Sequence, residues 1–88
     1  MPRVTVELFG VPRLRAGVAS LTLEGTSVRE VLLALGVRCP ALEGTALHDG
    51  APLPAYRVAL NGDLAPVSPD RALRDGDVLL LMAAEAGG

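Results

Sequence analysis

Only one stretch of this chain has helical periodicity, and it is too short to bury its own apolar side. Ser27-Val28-Arg29-Glu30 fits a capping box, in which the serine side chain accepts from the backbone at the third helical position and the glutamate reaches back. Val28, Val31, Leu32 and Leu35 follow at i, i+3, i+4 and i+7 and make one stripe, and Gly36 is placed to stop the helix in a left-handed conformation. A helix of about two to three turns must lay that stripe on something apolar. The segments on either side of it alternate, so the cover is a sheet.

Val4, Val6 and Leu8 alternate with Thr5, Glu7 and Phe9, the period of a half-buried strand, and Gly10 and Pro12 end it. A second strand is expected over residues 18–23, with Leu21 and Leu23 on one face, and the Pro-, Arg- and Gly-rich segment between them suits a hairpin loop. Beyond the helix the pattern weakens through Pro40, Gly44, Gly50, Pro52 and Pro54, with one short helical turn expected near residues 41–47. Tyr56, Val58 and Leu60 form a third strand closed by Asn61-Gly62, and residues 64–67 read as a short extended piece. Asp75-Gly76-Asp77 marks a turn before Val78 to Met82, which is apolar at every position and therefore central. Hairpin, helix, loop, strand, short strand, strand, with the first and last strands side by side in the middle, is an α+β, ubiquitin-like β-grasp arrangement. The domain is read as residues 1–82, followed by a C-terminal tail over residues 83–88.

Composition narrows the function. The 88 residues hold a single small domain, with Phe9 and Tyr56 as the only aromatic residues, so its core rests on Val, Leu and Ala. A net charge of −2 and no aromatic platform argue against a nucleic-acid partner. The longest apolar run, residues 78–84, is too short to cross a bilayer, and no signal peptide is visible, so a cytoplasmic protein is expected. All eight basic residues are Arg, which removes any Schiff-base lysine and any side-chain isopeptide acceptor on this chain; a GC-rich coding sequence is the simplest source of that bias. Cys39 is the single cysteine, lies before Pro40 without a neighbouring base, and reads as a small buried or indifferent thiol. His48 beside Asp49 has no partners at metal spacing, and Asp75 and Asp77 are explained by the turn they flank, so no metal site is expected.

The chain ends in Gly87-Gly88, just past the last apolar strand and after Ala83-Ala84-Glu85-Ala86. Two residues without side chains make a thread that a narrow cleft can hold extended, which makes the terminal carboxylate itself a candidate reactive group. With Leu8-Phe9-Gly10 and Arg13, Val58-Ala59-Leu60-Asn61-Gly62, and Leu73-x-Asp75-Gly76-Asp77-x-Leu79, the chain resembles the small sulfur-carrier proteins of the molybdopterin and thiamine pathways, the MoaD and ThiS families, over its whole length. Phe9 with Arg13, and the length, lean toward the small subunit of molybdopterin synthase. The chain departs from the family at Met82, where a bulky aromatic is usual, and at Ala83-Ala84, where prolines are usual.

The resemblance implies that Gly88, presented by Gly87, is adenylated with ATP inside a ubiquitin-activating-like adenylyltransferase. It is then converted to a thiocarboxylate that donates sulfur to a second enzyme, the large subunit of molybdopterin synthase. It also implies partner contacts at Phe9, Arg13, Met82, Glu85 and Ala86. For Phe9 and Met82 the competing role is core packing, and for Arg13 a solvated loop charge. The chain carries no Gly-rich phosphate loop with lysine and no constellation of its own for catalysis, so no bound cofactor and no independent active site are expected. Sulfur transfer for thiamine, cysteine or tRNA thiolation, a ubiquitin-like protein modifier, and a plain β-grasp interaction module stand as alternatives.

Overall fold

The stripe on the helix and the alternating strands meet as expected. In the computed structural model, which describes residues 1–84, strands β1 (Arg3–Leu8), β2 (Ser20–Glu24), β5 (Tyr56–Leu60) and β6 (Val78–Ala83) form one sheet in the order β2-β1-β6-β5. β1 pairs with β2 and β6 with β5 antiparallel, while β1 and β6 run parallel in the middle, with Val6 opposite Leu79 and Leu8 opposite Leu81. Helix α2 (Val28–Arg38) lies on one face, and Val28, Val31, Leu32 and Leu35 bury their side chains against Val4, Val6, Leu79 and Leu81. This is the ubiquitin-like β-grasp, an α+β fold. The run from Val78 to Met82 is central, as its unbroken apolarity required, and continues to Ala83, one residue past its expected end.

Several local expectations are corrected. The β1–β2 connection holds a short helix, α1 (Val11–Ala16), rather than a simple hairpin loop. Pro12 sits in its first turn, where a fixed φ and a missing N–H do no harm, and is itself buried; Leu14 N–H donates to the Gly10 carbonyl at 3.1 Å. β2 begins two residues later than expected and runs to Glu24. Gly36 does not end α2; the helix runs to Arg38, where the Cys39 N–H donates to the Leu35 carbonyl at 2.8 Å. A Cβ at Gly36 would stand 2.8 Å from a Glu43 carboxylate oxygen, the far end of an exposed, flexible side chain that can swing aside, so space does not demand glycine there.

The capping box is half formed. Ser27 Oγ accepts from the Glu30 N–H at 3.2 Å, but the Glu30 carboxylate reaches one residue further back, to the N–H and hydroxyl of Thr26. Those two donors hold its carboxyl below the ordinary range, the hydroxyl contributing most.

The helical turn expected near residues 41–47 is a single 3₁₀ turn, Pro40–Leu42, followed by a two-strand ribbon of β3 (Leu47–His48) and β4 (Ala51–Pro52). Residues 64–67 form no strand. Their neighbour Asn61-Gly62 is a tight turn with φ of 51° and 79°, both positive as the hairpin type I′ geometry demands.

Candidate functional site

β6 carries the chain to its end. It is hydrogen-bonded on both sides, and the residue after it is tied to the sheet as well: Ala84 N–H donates to the Ala55 carbonyl at 2.8 Å. Anchored there, the chain has four residues left to Gly88, which reach at most about 14 Å from Ala84 when fully extended. Glu85, Ala86, Gly87 and Gly88 themselves lie outside the described residues.

The start of β6 is fixed by the Asp75-Gly76-Asp77 turn, whose carboxylates serve backbone rather than chemistry. Asp75 accepts from the Arg3 N–H at 2.8 Å, tying the turn to β1. Asp77 accepts from the Arg74 N–H at 2.8 Å and from the Asn61 side-chain amide at 3.0 Å. The Asn61 oxygen in turn accepts from Val78 N–H at 2.8 Å. The Arg74 N–H foremost, then Asn61, hold the Asp77 carboxyl below its ordinary value.

The two sheet faces differ. The pairing that sends Leu79 and Leu81 toward α2 places Val78, Leu80 and Met82 on the other face, beside Arg57 and Ala59 of β5 and Thr5 and Glu7 of β1. Met82 is only 6% exposed yet stands outside the core cluster, as does Ala59. Phe9 follows β1, bonded to the last strand through its N–H and the Leu81 carbonyl at 3.1 Å, and is 56% exposed. Arg13 is exposed on α1, next to Leu14, which at 81% exposure was not singled out from sequence. Phe9 and Arg13 are thus accessible, while Met82 offers little surface.

A cavity of about 370 Å³ opens beside Ala84. It lies between α2, the edge strand β5 and the loop after β5, lined by Leu32, Ala51, Tyr56, Leu64, Val67 and by Ala84 itself. Its wall at the 49–52 turn rests on the helix: Gly50, with φ +79°, comes so close to α2 that a Cβ would lie 2.9 Å from Arg29 Cγ and from Leu33 Cγ and 3.0 Å from the Arg29 carbonyl oxygen. Elsewhere, Cys39 is buried, and His48 Nδ1 lies 3.2 Å from the Glu43 carboxylate. Among the described residues no group of three or more metal-ligating side chains converges, and no helix is long and apolar enough to cross a membrane.

A model of the ThiS family matches residues 6–88, nearly the whole chain including the diglycine. The chain belongs to the ThiS family. No curated protein matches this ThiS-family chain in sequence. Solved structures do. Small archaeal modifier protein 1 from Methanosarcina acetivorans is 28% identical, with a TM-score of 0.83 over 100% of this chain and 98% of that one. The corresponding protein from Haloferax volcanii is 27% identical, with a TM-score of 0.82 over 98% and 99% of the two chains. A protein from Pyrococcus furiosus described as molybdopterin converting factor, subunit 1, is 28% identical, with a TM-score of 0.75 over 94% and 98%.

Sequence reasoning about this ThiS-family chain missed the cavity. Much of its wall comes from segments without periodicity, where the local signals were Gly50, Pro52 and Pro69, which read as turns without saying what the turns enclose.

Proposed function

We propose that this chain is a sulfur carrier, loaded at Gly88 and acting as the small subunit of molybdopterin synthase. The reading rests on one observation above all: β6 is locked in the middle of the sheet and tied through Ala84, and the family match extends from it to the terminal diglycine. A carboxylate is a poor electrophile, because it is negatively charged and lacks a leaving group. In the proposed sequence a Gly88 carboxylate oxygen attacks the α-phosphorus of ATP and expels pyrophosphate, giving an acyl adenylate. The terminal sulfur of a persulfide then attacks the carbonyl carbon and AMP leaves. A thiol cleaves the resulting acyl disulfide, releasing the thiocarboxylate and becoming part of a disulfide itself. The adenylyltransferase supplies the nucleotide site and the stabilisation of developing charge; the chain supplies only the terminus. The large synthase subunit then consumes the thiocarboxylate sulfur. Phe9 and Arg13, with Met82, Glu85 and Ala86 nearer the terminus, are the proposed partner contacts.

Incubation with the adenylyltransferase, ATP and a sulfur donor tests this. The intact mass should rise by the difference between one sulfur and one oxygen, and removal of Gly88 should abolish the change while leaving the circular dichroism spectrum intact. An unchanged mass for the full chain would refute the proposal. A second reading, a protein modifier joined to target lysines by the same activation, is favoured by the likeness to small archaeal modifier protein 1. Target peptides branched with this tail would establish it.

A further inference from the structure

We propose that the cavity beside Ala84 is a socket for an apolar side chain on the rim of the adenylyltransferase cleft that receives the tail. This inference rests on the reading under Proposed function. Distance makes the first argument: Ala84 lines the cavity, and the terminus lies no more than about 14 Å beyond it. A cleft that encloses all four residues of the tail brings its own rim against the surface around Ala84, and the cavity is then the nearest apolar recess that rim meets.

Chemistry makes the second argument. The lining is aliphatic and proline-rich, and only Tyr56 and Arg57 bring polar side chains. The Arg57 guanidinium is already engaged, donating to the Leu64 carbonyl within the same wall. Nothing converges there to recognise a phosphate or a nucleotide. The volume of about 370 Å³ is ample for an aromatic or branched aliphatic side chain, since an apolar cavity of about 150 Å³ already holds benzene. The chain's own last four residues do not suit it, because Glu85-Ala86-Gly87-Gly88 carries no apolar group larger than a methyl. The wall is also preformed, since Gly50 seats the 49–52 turn directly on α2.

Plugging the socket tests the idea. Ala51 is exposed at the lining, so Ala51→Trp fills the cavity from its mouth without entering the core. Leu64→Glu, at a residue 48% exposed, instead places a charge there. Calorimetric titration against the adenylyltransferase should show both variants binding about tenfold more weakly than the native chain. Val37→Trp, 80% exposed on the far part of α2 and absent from this lining, should bind as the native chain does. Thermal melts confirm that each variant is folded. Native affinity in folded Ala51→Trp and Leu64→Glu, or an equal loss in Val37→Trp, overturns the socket. If the socket variants keep full affinity while the native chain is still loaded at Gly88, the socket alone falls; if the native chain is neither bound nor loaded, the sulfur-carrier reading falls with it.

Discussion

Gly50→Ala should be among the most damaging single-methyl changes in this domain, and Gly62→Ala shows why. Both glycines have φ +79°, a conformation that costs an L-residue about 1–2 kcal/mol. At Gly62 a new Cβ would meet nothing within 4 Å, so the backbone cost stands alone. At Gly50 the same methyl would lie 2.9 Å from two side-chain carbons of α2 and 3.0 Å from the Arg29 carbonyl oxygen. The Arg29 and Leu33 side chains can yield; the carbonyl belongs to the helix backbone and cannot without moving the turn. Overpacking of that kind adds about 1–3 kcal/mol. Gly50→Ala should therefore cost about 2–5 kcal/mol against about 1–2 for Gly62→Ala. In a domain of this size each kcal/mol moves the melting temperature by about 4–8 °C. Urea titration and thermal melts of the two variants side by side check the difference. Equal losses would refute the reasoning, because they would mean that the 49–52 turn is free to lift off the helix.

The other expectations concern charge and contact. Asp77 has its carboxyl pKa lowered by folding from 3.8, so the folded state binds fewer protons than the unfolded one; its contribution is complete above the unfolded value and is lost as pH falls through the folded one. The urea midpoint should drop as pH falls below about 5, less steeply in Asp77→Asn, and an identical slope in that variant would exclude Asp77 as a source. Phe9→Ala should leave the melting temperature within a few degrees, since Phe9 is 56% exposed, yet weaken binding to the loading or accepting enzyme about tenfold. A large fall in stability with unchanged binding would make Phe9 a packing residue instead.

The sheet and its helix were legible because their signals are periodic. Val4, Val6 and Leu8, then Leu21 and Leu23, then Val58 and Leu60, each fix a face by alternation, and the α2 stripe needs that face. What escaped was short or depended on contacts far apart in sequence. A six-residue helix such as α1 has too few turns to display a stripe, and its proline reads equally as a loop residue. Gly36 looked like a helix stop because glycine commonly is one, yet the helix continues through it to Arg38. The two-residue strands β3 and β4 carry no alternation at all. For the candidate site, a run apolar at every position left open which face Met82 takes; the strand pairing puts it away from α2, where it is nearly covered. The diglycine was legible as a motif, whereas the cavity at its root is assembled from helix, edge strand and loop, and no single segment announces it.

The parallel pairing of β1 and β6 also has a mechanical meaning. Arg3 opens one strand and Ala83 closes the other, so they lie at opposite ends of the pair. Traction on the C-terminus against the N-terminus strains all the cross-links between these two strands together, in shear, instead of unzipping them singly. An enzyme that tugs on the terminus therefore holds a stiff handle, and the pull passes into the whole sheet rather than peeling its last strand away.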